Sequence, residues 1–247
     1  MIKLSVITVT RNAETTLERT LRSVAEQSCP DIEHIIVDGA SADRTVEILL
    51  QWKHEGMKWK SEPDNGLYDA MNKGAAMASG SYLCFLNAGD TFHAPDTVER
   101  LMTSYPSDAP PDILYGETAI VDDKGTFLHM RRLKAPEELN WKSFRQGMVV
   151  CHQAFFIRTP LFEPYNTDYR FSSDFDWCIR MMKKSRTLHN SHMVLINYLN
   201  EGMTTANRKA SLKERYRVMT KYYGRFSTIL HHLWFAIRGI FAKFQQE

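Results

Sequence analysis

The most constraining feature of this sequence is a regular alternation between short apolar runs and segments in which apolar side chains recur at helical spacing. The apolar runs cover residues 3–10, 32–37 and 82–86, and a more polar run covers residues 57–62. Short apolar runs are typical of strands that are covered on both faces. Strands and helices that alternate along the chain predict right-handed crossovers and a parallel sheet, with the polar run nearer the edge of that sheet.

The second half of the chain predicts strands of opposite direction. Residues 113–116 form another apolar run, and residues 118–131 have the pattern of a hairpin with an Asp-Asp-Lys-Gly turn. Residues 147–157 indicate a loop that leads into an apolar strand. We therefore expect an α/β fold with a mostly parallel central sheet, flanking helices and added antiparallel strands.

Composition limits the class of protein. The chain has 247 residues, of which 43% are hydrophobic and 24% charged, so it can form one large domain or one domain with an appendage. No run of 18 apolar residues predicts a membrane-spanning helix, and the first ten residues lack the apolar region of a secretory signal. The four cysteines are far apart, which argues against a zinc site or a disulfide framework. These features favour the reducing cytosol.

The last 41 residues differ in charge from the rest of the chain. From Asn207 onward there are nine Lys or Arg and two Glu, so that the net charge of +2 leaves residues 1–206 at about minus five. Apolar residues including Trp234 and Phe244 recur there at helical intervals. Such a basic amphipathic helix is typical of an interfacial membrane anchor. The alternative is a helix that packs on the preceding domain or on another subunit, and the acidic body disfavours nucleic acid.

Candidate functional residues follow the predicted strands. Asp90 comes after the run 82–86 on a small-residue turn, and the carboxyl edge of an open α/β sheet is where ligands bind. It is therefore a candidate for holding a metal or a ribose, or else caps the next helix. Asn72 would suit a phosphate or a sugar if its amide faces the same crevice. His152 is either a ligand or a structural hydrogen-bonding residue.

Two carboxylates begin a later helix. The segment Ser172-Ser173-Asp174-Phe175-Asp176-Trp177 has the pattern of a helix start, where capping and the helix dipole favour acidic residues. A fixed carboxylate in a crevice also serves as a general base that takes a proton from a sugar hydroxyl. Asp174 is therefore either a cap or a base.

Four motifs in order resemble family 2 glycosyltransferases of the GT-A fold. They are Ser5-Val6-Ile7-Thr8-Val9-Thr10-Arg11-Asn12, Ile36-Val37-Asp38-Gly39-Ala40-Ser41-Ala42-Asp43-Arg44-Thr45, Ser61-Glu62-Pro63-Asp64-Asn65-Gly66-Leu67-Tyr68-Asp69-Ala70-Met71-Asn72-Lys73-Gly74 and Phe85-Leu86-Asn87-Ala88-Gly89-Asp90. The resemblance covers about the first 200 residues and is strongest to bacterial enzymes of capsule, O-antigen and colanic-acid assembly. It implies a Rossmann-like GT-A domain over residues 1–206, with nucleotide-sugar binding in about 1–116 and the acceptor side in about 117–206, followed by a helical tail over 207–247.

The resemblance also implies roles for individual residues. Asp38 matches the acidic residue that pairs with the nucleotide base, and Thr10, Arg11 and Asn12 lie where the first strand meets base and ribose. Asn65 and Asn72 belong to the third motif, and Asn87 and Asp90 occupy the region of the D-x-D signature, which binds ribose and, through a divalent cation, the diphosphate. Asp174 matches the general base, and Asp176 matches a position that more often supports the helix. His152 is assigned to substrate binding, either as a hydrogen-bond donor to the phosphates or as a further ligand of the cation.

The implied activity is that of an inverting hexosyltransferase that moves a sugar from a nucleoside diphosphate sugar, with UDP favoured, to a polyprenyl-diphosphate-linked glycan. The enzyme would lie at the cytoplasmic face of a bacterial membrane and make surface polysaccharide. Asp90 is the single carboxylate where many relatives have Asp-x-Asp-Asp, and Mg²⁺ or Mn²⁺ could still bind through it and the substrate phosphates. Two alternatives are a catalytically silent nucleotide-sugar binding module and a nucleotidyltransferase, but the latter would show a glycine-rich basic loop after the first strand.

Overall fold

The computed structural model describes residues 3–52, 54, 56–200 and 207–244. Its first half is the parallel sheet that the sequence predicts. Strand β1 (Leu4–Thr10) lies between β2 (Ile32–Asp38) and β4 (Tyr82–Phe85), and β3 (Met57–Ser61) pairs with β2 at the edge. Every residue of β1 and β4 is buried, which explains why these runs are apolar without alternation.

Three helices connect these strands: α1 (Leu17–Ala25), α2 (Thr45–Gln51) and α3 (Leu67–Ala75). Helix α3 packs directly on β1, where a Cβ atom at Gly74 would come within 2.5 Å of Ile7 Cγ2. A side chain at position 74 would therefore displace the helix from the sheet. Because α3 follows β3 and runs antiparallel to the strands, its first residues lie beside the carboxyl ends of β1 and β2.

The second half adds antiparallel strands to the same sheet. Its elements are β5 (Thr91–Phe92), α4 (Thr97–Thr103), β6 (Ile113–Val121), β7 (Phe127–Met130), β8 (Phe155–Arg158), α5 (Ser173–Lys184) and β9 (Leu188–Leu199). The hairpin predicted over residues 118–131 is confirmed as β6 and β7, with Gly125 in the left-handed region at φ 84°. Strand β8 pairs antiparallel with both β4 and β6, whereas β9 runs parallel to β6. The expectation of a mostly parallel sheet with antiparallel additions is confirmed.

The basic tail forms two helices with different surroundings. The first, α6 (Arg208–Tyr223), packs on the domain, with Val218 and Met219 fully buried in the main hydrophobic core. Tyr223 stacks on Trp141 with ring centroids 5.6 Å apart. Packing on the catalytic domain, one of the two predicted alternatives, therefore describes α6. The predicted domain boundary after residue 206 stays a prediction, since residues 201–206 lie outside the described part of the chain.

The second tail helix, α7 (Arg225–Phe244), has its apolar side uncovered. Thr228 is fully buried on the side that faces the domain, whereas apolar side chains between 42% and 77% exposed form a stripe on the other side: Phe226, Ile229, Leu230, Leu233, Trp234 and Ile237. Phe244 belongs to the same predicted pattern, but its side chain lies outside the described atoms. In the described ranges, no helix combines the length and the apolar character needed to cross a membrane.

Candidate active site

A cleft of about 1020 Å³ opens at the carboxyl ends of the parallel strands. It is lined by the end of β1, the first turn of α3, the turn after β4, the loop before β8 and the first turn of α5. Of the residues predicted from the sequence, the cleft brings together seven: Thr10, Arg11, Asn65, Asn87, Asp90, His152 and Asp174. They come from five separate segments of the chain, and the strand ends bring them to one edge.

Three buried polar atoms that belong to the predicted residues of this cleft have no hydrogen-bond partner among the described residues. They are Thr10 Oγ1, Asn87 Oδ1 and His152 Nε2. Buried polar atoms in folded proteins are nearly always hydrogen-bonded, so that several unpaired ones in one cleft indicate a place for a polar ligand or for water. The prediction that these three residues contact substrate is consistent with their positions.

Asp38 and Asn12, predicted as nucleotide-binding residues, lie outside the cleft lining and hold neighbouring loops. The Asp38 carboxylate is fully buried and accepts hydrogen bonds from Ser61 Oγ at 2.6 Å, from the main-chain N–H of Ser41 at 3.0 Å and from Ser41 Oγ. Asn12 accepts from the N–H of Ala42 at 2.9 Å. The pairing of Asp38 with the nucleotide base stays a prediction, and its carboxylate oxygens already accept these three hydrogen bonds.

Asn72 and Asp176 also lie outside the cleft lining and have structural partners. The Asn72 amide donates to the main-chain oxygen of Tyr165 at 3.0 Å and accepts from its N–H at 2.7 Å, so both of its polar atoms are bonded. Its contact with a phosphate or a sugar stays a prediction. Asp176 accepts hydrogen bonds at 2.8–2.9 Å from Arg180 and Lys221. Burial raises the pKa of Asp176, but these bonds outweigh it and leave the pKa below its ordinary value. A carboxylate paired in this way supports its helix rather than accepting a proton.

Asp90 is held rigidly at the floor of the cleft. Its Oδ1 accepts from the N–H of Leu199 at 2.9 Å, and its Oδ2 accepts from Gln153 Nε2 at 2.9 Å. Burial raises the pKa of Asp90 to about 7, although these two bonds lower it. The preceding Gly89 has φ 99°, and a Cβ there would come 2.7 Å from Leu199 Cδ2, which explains the small residue in this turn.

Asp174 lies in the first turn of α5 with one oxygen bonded and the other open. Its Oδ1 accepts from Tyr68 Oη at 3.1 Å and from the N–H of Phe175 at 2.8 Å. Its Oδ2 lies 3.7 Å from His152 Nδ1, which is too long for a hydrogen bond. The Asp174 side chain is 19% exposed. Burial lowers the pKa of His152 despite the nearby Asp174 charge, so the imidazole is neutral at pH 7. Asp174 can therefore accept a proton from a bound hydroxyl through Oδ2.

Three arginines in the cleft lining were not predicted as site residues. Arg131 follows β7, Arg170 precedes α5, and Arg215 comes from α6 in the tail. Local spacing gives no signal for any of them, because each reaches the cleft only through tertiary packing. The sequence places Arg215 only within the basic tail, for which a membrane anchor and packing on the domain or on another subunit were both open.

The residues present fit a divalent cation only in part. In the described ranges, no three His, Cys, Asp or Glu side chains form a group that could hold a metal ion. Asp90 is the one carboxylate predicted as a ligand, and each of its oxygens already accepts one hydrogen bond. A carboxylate oxygen has a second lone pair, and Mg²⁺ is commonly held by one carboxylate together with substrate phosphates and waters. Asp90 is thus compatible with a cation that arrives with the nucleotide.

Residues 5–165 match the family model described as Glycosyl transferase family 2. A PGL/p-HBAD biosynthesis glycosyltransferase of Mycobacterium bovis is 33% identical over 201 residues, which are 78% of this chain and 75% of that protein. The amylovoran biosynthesis glycosyltransferase AmsB of Erwinia amylovora is 30% identical over 217 residues, covering 78% of this chain and 70% of that protein.

Two solved structures share the fold at lower identity. S. aureus TarS 1-349 in complex with UDP-GlcNAc has a TM-score of 0.69 and 19% identity, over 88% of this chain and 64% of that one. The mannosyltransferase PcManGT of Pyrobaculum calidifontis, in complex with GDP-Man and Mn²⁺, has a TM-score of 0.63 and 18% identity, over 89% and 63%. This chain thus spans slightly less than two thirds of either structure.

Proposed function

Because the chain belongs to glycosyltransferase family 2, we propose that it is an inverting glycosyltransferase that uses a nucleoside diphosphate sugar, with UDP favoured. The acceptor is a lipid-linked glycan, and the product belongs to bacterial surface polysaccharide. The donor proposal is supported by the TarS complex, which contains UDP-GlcNAc. The acceptor proposal is supported by bacterial relatives that are named for PGL/p-HBAD and amylovoran biosynthesis.

The observation that carries this proposal is the open oxygen of Asp174 in the same cleft as Asp90. In the proposed reaction, Asp174 Oδ2 takes the proton of the acceptor hydroxyl. At the same time, the hydroxyl oxygen of the acceptor attacks the anomeric carbon of the donor sugar. The bond from this carbon to the donor diphosphate breaks, and its electron pair leaves with the diphosphate. Attack opposite to the leaving group inverts the anomeric centre. Tyr68 and the N–H of Phe175 fix the carboxylate through its other oxygen.

Asp90 is the residue that would hold Mg²⁺ or Mn²⁺, together with the donor phosphates. The mannosyltransferase structure with GDP-Man and Mn²⁺ supports cation use within this fold. A bound cation would supply charge neutralisation for the leaving diphosphate. Thr10, Arg11, Asn65 and Asn87 would contact the nucleotide at the same edge of the sheet.

The exposed stripe of α7 would place the enzyme on the cytoplasmic face of the membrane, where a lipid-linked acceptor is available. A stripe of Trp, Phe and Leu beside the exposed Arg225 suits an anionic lipid surface. We expect Leu230→Ser with Trp234→Ser to reduce co-sedimentation with phosphatidylglycerol vesicles, and Leu128→Ser, on the exposed hairpin strand β7, to leave it unchanged. If light scattering instead shows a dimer for the wild type and a monomer for the double variant, the stripe would be assigned to a second copy of the chain.

The test of the activity combines binding with turnover. Thermal shift with UDP, GDP, dTDP and CMP, with and without Mg²⁺ or Mn²⁺, identifies the nucleotide, since a ligand that binds only the native state raises the apparent stability. UDP release from a panel of UDP-sugars then measures transfer to acceptor or to water. We expect Asp174→Asn to keep the thermal shift and to lower UDP release by about 10²- to 10⁴-fold, the usual contribution of a general base. Unchanged release in this variant would contradict catalysis by Asp174, and binding without any release would indicate a binding module.

A further inference from the structure

The tail helix α6 contributes a cation to the cleft. Arg215 lines the cleft together with Asp174, and its guanidinium lies over the ring of Phe175 at 5.5 Å. Its Nε is buried without a hydrogen-bond partner among the described residues. A buried N–H of an arginine that is left unpaired is costly unless a ligand accepts from it.

Arg131 approaches the same place from the β6–β7 hairpin. Its Nη1 donates a long hydrogen bond of 3.4 Å to the main-chain oxygen of Leu133. Both arginines line the same cleft. Burial lowers the pKa of Arg215, the Asp174 charge raises it, and the Arg131 charge lowers it again. Within the described ranges, neither guanidinium has a carboxylate oxygen within 4.0 Å, although Arg180 and Arg158 do.

Two guanidinium groups that line one cleft without a carboxylate oxygen in contact are costly to bury, because partial burial removes the solvent that would solvate their charges. An anion placed between them would relieve this cost. Arginine presents a planar set of donors that matches phosphate oxygens, often with two hydrogen bonds at once. A single carboxylate, Asp90, binds a divalent cation less strongly than two carboxylates would. Arginine side chains would supply the diphosphate with further positive charge.

The helix that carries Arg215 is fixed to the start of α5. The Glu214 carboxylate accepts hydrogen bonds at 2.7–3.0 Å from three consecutive main-chain N–H groups, those of residues 170, 171 and 172. The oxygen of Ser211 accepts from Ser172 Oγ at 3.2 Å. Arg215 and Asp174 are therefore held in one packed unit, which sets the guanidinium at a defined place relative to the proposed base.

We propose that Arg131 and Arg215 form a diphosphate-binding site in the cleft, one half of which is supplied by the tail. The proposal rests on the proposed glycosyltransferase activity and adds residues to it. The diphosphate has two sources, namely the nucleotide donor, whose leaving group would be neutralised there, and the prenyl diphosphate of the acceptor. His152 Nε2, buried and unpaired in the same cleft, is available as a neutral donor to the same group.

The test measures binding of UDP, uridine and farnesyl diphosphate by calorimetry in EDTA. The variants are Arg215→Gln and Arg131→Gln, with Arg217→Gln as the matched control, because Arg217 lies on the same helix over the Tyr169 ring at 5.5 Å but outside the cleft lining. We expect each cleft variant to weaken one diphosphate ligand by about 10- to 100-fold, the size of a charged hydrogen bond. Uridine affinity should be unchanged in every variant, and Arg217→Gln should behave as the wild type.

Selective loss of UDP would identify the donor as the source, and selective loss of farnesyl diphosphate would identify the acceptor. Wild-type affinity for both ligands in both cleft variants would overturn the site while leaving the transferase proposal intact. If the wild type binds UDP only with Mg²⁺ or Mn²⁺, the variants are compared with that cation present. Failure of the wild type to bind either ligand both with and without the cation would count against both proposals. If Arg215→Gln fails to fold, Arg215→Lys and Arg131→Gln provide the same comparison.

Discussion

Asp90 makes the fold less stable when it ionises, so Asp90→Asn should stabilise the protein at high pH. Burial raises the pKa of Asp90 to about 7 from the ordinary 3.8. The native state therefore binds a proton that the unfolded state releases between these values, and the free energy of unfolding falls as pH rises through this window. At about 1.4 kcal/mol for each pH unit, the full cost above pH 7 is up to about 4 kcal/mol. At pH 4.5 it is about 1 kcal/mol by the same relation.

The neutral amide of the variant does not carry this cost. Its oxygen can accept from the N–H of Leu199, and Gln153 can rotate its amide so that its oxygen accepts from the new NH₂ group. We therefore expect the stability gain of Asp90→Asn to grow by about 3 kcal/mol between pH 4.5 and pH 8.5. For a chain of this size, that corresponds to a thermal midpoint higher by about 6–12 °C. The measurement is thermal unfolding in EDTA, since a bound cation would neutralise the carboxylate.

Asp176→Asn is the matched control, because Asp176 is also a buried aspartate but has a lowered pKa. Its ionised form contributes stability that is present above the ordinary pKa and is lost as pH falls towards the lowered one. This variant should lose about 3–5 kcal/mol at pH 8.5, the usual cost of breaking a buried ion pair. The loss should be nearly the same at pH 4.5, which is still above the ordinary pKa of 3.8. A destabilised Asp90→Asn at pH 8.5, or a difference from wild type that does not change with pH, would refute the reasoning.

Two further predictions concern the groups that fix the proposed base. Tyr68→Phe removes one of the two donors to Asp174 Oδ1, so UDP release should fall by about tenfold while calorimetry gives an unchanged UDP affinity. Glu214→Gln weakens the acceptor of three main-chain N–H groups and should lower the free energy of unfolding in urea by about 1–3 kcal/mol. Glu18→Gln, which breaks an exposed helix pair with Arg22, is its control and should change stability by less than about 0.5 kcal/mol.

The sheet could be predicted from sequence because each of its signals is local. Buried parallel strands require continuous apolar runs, and the hairpin requires a residue that tolerates φ 84° at Gly125. Strand β9 gave no comparable signal. It contains His189, Asn190 and His192 among its apolar residues, and its pairing with β6 includes register shifts, so neither alternation nor a continuous run marks it.

The candidate site was predictable where its residues end strands or begin helices. Asp90 and Asp174 have such positions, and the cleft contains both. Four predicted residues lie outside the cleft lining: Asn12, Asp38, Asn72 and Asp176. Each has a hydrogen-bond partner that is distant in sequence, and local sequence patterns do not reveal such a partner. The Asp38 carboxylate illustrates this, because one of its donors, Ser61 Oγ, comes from β3, 23 residues later.

The two tail helices are both basic but have different surroundings, and a count of basic residues cannot distinguish them. Gly224, with φ 79°, ends α6 and lets the chain change direction into α7. On one side of it, Lys221 bonds Asp176 and Glu214 holds the start of α5, so that α6 is part of the catalytic unit. On the other side, the apolar stripe of α7 is open. If α7 lies on a membrane, this connection would set the orientation of the cleft relative to the lipid surface, because α6 cannot turn without breaking its bonds to the helix that carries Asp174.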